Sequence, residues 1–237
     1  DGAATTVPGG SASFTIAADG THEISYYATD NAGVAESAHT VSIKIDQTQP
    51  VITASVSPAP ANVWSNTDVT VTFVCSDALS GTVSCPSPIT VTTEGAGQVI
   101  SGSVFDKAGN TATAAVTVNI DRTAPVVTLS TDPSQLWPPN HKMEIVTVRG
   151  IVEYPAGCGL LRFGYNLEDE YGVYTATGHA AVGADRNFSF NLPVEAWREG
   201  NDRDGRHYRI TVFAEDEAGI GMSETLAAIV PHDQREK

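Results

Sequence analysis

Val104-Phe105-Asp106-Lys107-Ala108-Gly109-Asn110, then the run Thr111 to Ile120, then Asp121-Arg122-Thr123-Ala124-Pro125: this stretch decides the fold. Ala112, Ala114, Val116, Val118 and Ile120 fall at every second position, with Thr113, Thr117 and Asn119 between them. A period of two marks a strand with one buried face. Asp-x-Ala-Gly before it is a turn, because an Asp carboxylate bonds backbone two residues on and Gly takes φ > 0 without a Cβ penalty. Upstream, Glu94-Gly95 marks another corner. The whole stretch reads as a β-hairpin.

The pattern occurs three times. Asp19-Gly20, Asp30-Asn31-Ala32-Gly33 and Ile45-Asp46 form one copy, and Glu94-Gly95, Asp106 to Gly109 and Ile120-Asp121 the next. The last is Asp204-Gly205, Asp216-Glu217-Ala218-Gly219 and Ile229-Val230-Pro231. Repetition at a fixed internal spacing sets the architecture before any other reading. A lone hairpin is marginal in water, so each copy must close a larger sheet. Asp46-Gln47-Thr48-Gln49-Pro50 and Asp121-Arg122-Thr123-Ala124-Pro125 are then short linkers, stopped and stiffened by proline.

Copy spacing and linkers divide the chain into residues 1–48, 49–123 and 124–237. Residues 1–48 are expected to be the C-terminal part of an immunoglobulin-like domain. Its strands lie near Ala3–Val7, Ser13–Ile16, Glu23–Thr29 and Thr40–Ile45, where such a sandwich needs about seven. Its first strands are expected upstream of Asp1, or from a neighbouring copy by strand complementation. Residues 49–123 hold strands near Val51–Ser57, Val69–Ser76, Gly81–Ser84, Ile89–Thr92, Val99–Phe105 and Ala112–Ile120. Residues 124–237 hold strands near Lys142–Val152, Leu160–Leu167, Val173–His179, Asn187–Leu192, Tyr208–Ala214 and Met222–Ile229. The expected fold is all-β, tandem sandwiches of which the first is truncated.

The turn Asp-x-Ala-Gly and the linker Ile-Asp-x-Thr-x-Pro resemble those of bacterial immunoglobulin-like (Big-type) repeats. The resemblance spans all three segments, and Leu136-Trp137-Pro138-Pro139-Asn140-His141-Lys142-Met143 is similar to the start of a module recurrent in bacterial extracellular proteins. It implies tandem stalks of secreted or surface proteins that space, display or adhere. Val34 and Ile220 depart from it, standing where Asn is usual, so the side-chain bond of the turn is expected to be lost there.

The formal net charge of -15, from 28 acidic against 13 basic residues, repels phosphate backbones and anionic lipid. No nucleic-acid partner is expected. No apolar run approaches the roughly 20 residues of a spanning helix, so no membrane insertion is expected either. Any signal peptide is expected upstream of Asp1 or already removed.

Motifs for chemistry are missing: no Gly-x-Ser-x-Gly, His-Glu-x-x-His, P-loop or Gly-x-Gly-x-x-Gly. No catalytic residue and no obligate cofactor is assigned, although Glu168-Asp169-Glu170 clusters carboxylates as glycosidases do. Cys75 and Cys85 flank a turn-rich segment and are expected to form a disulfide, which needs an oxidising compartment outside the cytosol. Cys158 is expected to remain an unpaired thiol. Calcium has two candidate places: the linker carboxylates Asp46 and Asp121, and Asn201-Asp202-Arg203-Asp204-Gly205. The second fails as an EF-type loop, because Gly200 and Thr211 fall at positions one and twelve. Trp197, Tyr171 and Tyr174 are candidates for stacking on a glycan, whereas Trp64 and Trp137 recur after their linkers and are expected to pack near junctions.

The function expected is a non-catalytic extracellular or cell-surface spacer of a bacterium, with a protein, a surface glycan or neighbouring copies of itself as partner. Its alternatives are a carbohydrate-binding accessory region of a secreted hydrolase and a filament subunit assembled by strand complementation.

Overall fold

The computed structural model describes residues 5–60, 62–154 and 157–233. Every regular element among them is a β-strand, and the expected all-β, immunoglobulin-like architecture holds. Contacts gather the chain into two compact units. One comprises Asp1–Val56, Thr70–Ile89 and Val99–Val116; the other comprises Ser57–Val69, Thr90–Gln98 and Thr117–Lys237.

β1 (Gly20–Tyr26) and β2 (His39–Ile45) form a two-stranded antiparallel sheet, with Gly20 opposite Ile45 and Tyr26 opposite His39. Val41 and Ile43 on β2 are exposed. Next come β3 (Val51–Ser57), β4 (Val69–Ser76), β5 (Thr82–Ser84), β6 (Ile89–Val91), β7 (Gly95–Asp106) and β8 (Thr111–Ile120). Their sheets run β3-β4-β6 and β5-β7-β8. A Cβ at Gly102 on β7 would stand 2.8 Å from the Phe73 ring of β4, so glycine is what lets that ring approach β7 of the other sheet.

The C-terminal sandwich is built from β9 (Val126–Asp132), β10 (Met143–Glu153), β11 (Leu160–Asp169), β12 (Thr175–His179), β13 (Asn187–Glu195), β14 (Arg206–Asp216) and β15 (Gly221–Val230). A three-stranded sheet, β13-β10-β9, and a four-stranded sheet, β12-β11-β14-β15, enclose one core. Val146, Val148, Phe188 and Leu192 come from the first sheet, and Leu167, Tyr208, Ile210 and Val212 from the second. The fourth strand, β12, pairs with β11, whereas in the constant-type immunoglobulin arrangement the fourth strand joins the other sheet. Alternation places these residues inward, as on β14, where Tyr208, Ile210, Val212 and Ala214 are buried in turn.

Three expectations need correction. Ser13–Ile16 is not a strand, because β1 pairs only with β2 and no partner lies alongside the segment among the described residues. The segment Ala3–Val7 falls partly outside the described residues, and the described part is not a strand. Val126–Asp132, in turn, is a strand that the reading of residues 124–237 left out. It follows Pro125 as Val51–Ser57 follows Pro50, and it repeats that strand's alternating burial.

The repeated turns obey one rule. Gly33, Gly109 and Gly219 all have positive φ, at 84°, 98° and 79°. The Asp three residues earlier accepts the amide four residues on: Val34 N to Asp30 Oδ1 at 2.9 Å, Asn110 N to Asp106 Oδ1 at 2.8 Å, and Ile220 N to Asp216 Oδ1 at 2.9 Å. The backbone donates this bond, so Val34 and Ile220 keep it, whereas the bond from the Asn110 side chain to Asp106 Oδ2 (2.8 Å) is lost where Val or Ile stands, as expected.

Gly205 carries a heavier constraint, with φ of 87° and a Cβ position only 2.5 Å from the carbonyl oxygen of Val230. Gly219→Ala, with open space around it, is expected to cost about 1–2 kcal/mol for the left-handed backbone alone. Gly205→Ala is expected to cost at least about twice that, because backbone must also move. Urea unfolding of the two variants compares them; equal losses would contradict the close approach.

Candidate functional site

Ending a strand while changing direction leaves backbone amides to be satisfied, and acidic side chains do this at both linkers. At the first, Thr48 N donates to Asp46 Oδ1 (3.0 Å), Gln47 N to Asp19 Oδ1 (2.9 Å), and Thr48 Oγ1 to Asp19 Oδ2 (2.7 Å). At the second, Thr123 N donates to Asp121 Oδ1 (3.0 Å), Arg122 N to Glu94 Oε1 (2.9 Å), and Thr123 Oγ1 to Glu94 Oε2 (3.3 Å). The Asp and Thr of the linker motif, the residue between them and the acid of the acidic-Gly corner are thereby bonded at both linkers. Pro50 and Pro125 are both buried.

Loops and turns further along the chain are tied back to the first linker. Ser80 N donates to Asp46 Oδ2 at 3.0 Å, and the Asn110 side chain donates to the carbonyls of Asp46 (3.1 Å) and Thr48 (3.2 Å). Asn110 therefore serves the junction as well as the turn. Asp46, Asp77 and Asp106 bring carboxylate oxygens within 4.8 Å of one another there.

The second junction repeats this plan with different residues. Glu217 N donates to Gly159 O (2.9 Å), as Lys107 N does to Gly81 O (3.0 Å). The Asn66 side chain donates to Ala218 O at 3.1 Å. Trp64 is buried against Cys158, Ala218 and Ile220. Asp121, Cys158 and Asp216 converge, with ligand atoms within 4.8 Å of one another and all three residues buried. Asp121 corresponds to Asp46 as the residue after the hairpin, Asp216 to Asp106 at the end of the strand before the turn, and Cys158 to Asp77 in the loop after β10 or β4. Burial pushes the Asp216 carboxyl above its ordinary range, and the facing Asp121 adds to that. Burial likewise pushes the Cys158 thiol up to about 12, again with Asp121 adding to the effect. Cys158 is free of any disulfide.

Trp64 thus packs at a junction as expected, but Trp137 does not. Trp137 is 43% exposed, and its neighbour Leu136 is the buried residue, at 1%. Leu136 N bonds Ile229 O (2.8 Å) in the parallel bridge beside β15, whereas Ser65 N bonds Asn119 O (3.0 Å) beside β8. The two bridges differ in register, so matching tryptophan to tryptophan mispaired the positions.

Trp197 and Tyr171 do come together, edge to face with ring centres 5.9 Å apart. Between them and Tyr208 lies the guanidinium of Arg206, 5.3, 5.0 and 4.8 Å from the three ring centres. Arg206 is 1% exposed and holds Asp169 through two parallel bonds, Nε to Oδ1 at 2.7 Å and Nη2 to Oδ2 at 2.6 Å. Trp197 also stacks on His141, and the Tyr171 hydroxyl bonds Asp202. Tyr174 instead packs against the sandwich core. The rings enclose a buried cation.

The remaining candidates separate. Asp169 faces inward to Arg206, whereas Glu170 bonds the His207 amide (2.9 Å) and ring (3.1 Å). Asp202 accepts Gly205 N (2.9 Å) as well as Tyr171, while Asp204 converges with Glu170 and His207. Cys75 and Cys85 are joined in a disulfide linking the end of β4 to the residue after β5. Closing a loop of this length contributes up to about 3 kcal/mol in the loop-entropy account.

No protein-family model matches the chain, and no curated protein matches it. Solved structures similar to it include a tetra-tandem repeat in the extending region of a large adhesion protein, at 19% identity and a TM-score of 0.38, over 90% of this chain and 57% of that one. Fibronectin(III)-like modules of Clostridium thermocellum CbhA are similar at 11% identity and a TM-score of 0.34, over 78% of this chain and 97% of theirs. The Yersinia pseudotuberculosis adhesin InvE is similar at 13% identity and a TM-score of 0.29, over 74% of this chain and 58% of its own. The chain thus spans less than two thirds of the length of the first of these structures.

Burial works to raise the Asp169 carboxyl, and the Arg206 guanidinium with the backbone donors around it outweighs this, holding it below the ordinary value. A carboxyl depressed on folding stabilises above its unfolded pKa of about 3.9, and that stability is lost as pH falls through the lower folded value. Asp169→Asn is expected to cost about 3–5 kcal/mol at neutral pH by leaving Arg206 buried with only Glu195, 3.9 Å away, as an acidic partner. It is also expected to flatten the loss of stability below about pH 4. Denaturant melts at pH 7 and pH 3 check both; an unchanged acid limb would contradict the assignment.

Proposed function

We propose that the chain is a non-catalytic extracellular spacer of a bacterial surface or secreted protein, a stalk that displays or connects other domains. The observation carrying this reading is the linker chemistry. Both linkers are bonded to the hairpin before them, through Asp19 or Glu94, and the first is bonded to the loops after it through Asn110 and Ser80; beside the second, Asn66 of the loop between β3 and β4 bonds Ala218 of the β14–β15 turn. Linkers with every direction-setting residue bonded transmit position, as a spacer requires, and a flexible tether needs none of these contacts. The disulfide Cys75–Cys85 suits an oxidising compartment. The strong negative charge suits solubility outside the cell. Partners, whether proteins, surface glycans or further copies, would be engaged by what the stalk carries.

The carbohydrate-binding alternative has less support, because Trp197 and Tyr171 spend their faces on Arg206 and His141. Calcium enters as a proposal for Asp46 with Asp77 and Asp106, the all-oxygen cluster, since calcium takes only oxygen ligands. It would brace the first linker against the loop after β4.

Two measurements on the full chain test these readings. In polysaccharide pull-down, the chain and its Trp197→Ala variant are both expected to retain nothing; retention lost in the variant would replace the spacer reading with the accessory one. In thermal unfolding of chelator-washed protein, calcium is expected to raise Tm, by about 2.7 kcal/mol of stabilisation at a hundredfold excess over Kd. Asp77→Asn is expected to lose that rise; no rise in the parent chain would sink the calcium proposal and leave the spacer reading standing.

A further inference from the structure

Two carboxylates buried side by side need positive charge or protons close by, since taking an ion out of water without a partner is expensive. At the second junction the linker arginine, Arg122, turns to Asp68 and the Thr92 carbonyl instead. Asp121 is 3% exposed and Asp216 fully buried, yet each keeps one oxygen, Oδ2, with no hydrogen-bond partner among the described residues. Neither carboxylate belongs to any ion pair among those residues. The third member of the cluster is the sulfur of Cys158, 1% exposed and outside any disulfide. Such orphaned oxygens beside a buried thiol are a ligand set without its ion.

We propose that Asp121, Cys158 and Asp216 bind a thiophilic divalent cation of the zinc class, which joins the end of β8 to the β14–β15 turn and the β10–β11 loop. The ligand atoms already lie within 4.8 Å of one another. A tetrahedral zinc centre with bonds of about 2.0–2.3 Å separates its ligands by about 3.5 Å, so side-chain adjustments of about an ångström complete it. Three protein ligands leave the fourth position to water or a backbone carbonyl. On binding, the Cys158 thiol proton leaves to solvent and a sulfur–metal bond forms, with no change of oxidation state.

The sulfur decides the class of ion. Thiolate ligands select zinc and its softer relatives, whereas calcium needs six to eight oxygens, which this cluster does not offer. The first junction makes the contrast within one chain. There Asp77 stands in the place of Cys158, the cluster is all oxygen, and its carboxylates accept backbone donors from Thr48, Ser80, Leu79, Gly81 and Asn110. The two junctions share a plan and differ in the ion they favour.

Cation binding at this cluster goes beyond the spacer reading and is tested apart from it. Cadmium, which shares zinc's preference and reports thiolate binding by an ultraviolet charge-transfer band, is titrated into the folded, chelator-washed full chain with the Cys75–Cys85 disulfide intact. One equivalent is expected to bind with the band, to be displaced by zinc, and to resist calcium in large excess. Cys158→Ser is expected to abolish the band and weaken binding at least about tenfold, and Asp216→Asn to weaken it by about tenfold or more while keeping the band. No band in the folded parent chain overturns the proposal however the variants behave, as does a band surviving in Cys158→Ser or displacement of cadmium by equimolar calcium. None of these results bears on polysaccharide retention, which tests the spacer reading separately.

Discussion

A chain that leaves one sheet for the next must satisfy the amides of the residues in transit, and here carboxylates do so. Asp46 and Asp121 each accept the amide of the threonine two residues on, and Asp19 and Glu94 accept the amide between. The rest of the junction depends on this. Once the linker backbone is fixed, Asn110 can reach its carbonyls in one case, and Trp64 can seat against the Cys158 loop in the other. The repeated Asp of the hairpin turn completes both places, since it ends a strand at the point where the linker begins.

Using acids for this purpose has an electrostatic consequence. Each junction gathers like charges, from Asp46, Asp77 and Asp106 in one place and Asp121 and Asp216 in the other. At the first, several backbone donors spread over three carboxylates ease the repulsion. At the second, burial is deeper and two oxygens go without donors, which is why an ion is the natural complement there. The C-terminal sandwich solves the opposite problem with a cation. Arg206 is buried, matched by Asp169 in a two-bond pair and enclosed by three aromatic rings, so its charge is neutralised and its hydrogen-bonding edge used.

Residues whose conformation admits few alternatives were legible in the sequence. Gly33, Gly109 and Gly219 need positive φ, and Asp-x-Ala-Gly with flanking alternation forced a hairpin at each. The Cys75–Cys85 bond was legible because ten residues of turn-rich chain carry β4 of one sheet to β5 of the other and bring their ends together. The features that stayed hidden depend on partners far along the chain. Arg206 meets Asp169 across 37 positions, and nothing local in either stretch announces the pair. Asn110 looked like a turn residue because its neighbours are, and only the fold shows its amide reaching back to Asp46, 64 positions away. Trp137 was misplaced because residue type was matched where the register of the parallel bridge decides, and that register seats Leu136 instead. Asp121 was legible as a junction acid, whereas its companions Cys158 and Asp216 were not, since sequence spacing says nothing about which loops share an end of a sandwich.

The central claim is that both linkers are held as firmly as the strands they join. Backbone order parameters from nitrogen-15 relaxation at Gln47–Gln49 and Arg122–Ala124, set against those of β4 and β14, measure this directly. Values near those of the strands, about 0.85, are expected at both linkers. Values below about 0.6 at either, in a chain whose strands remain rigid, would contradict it.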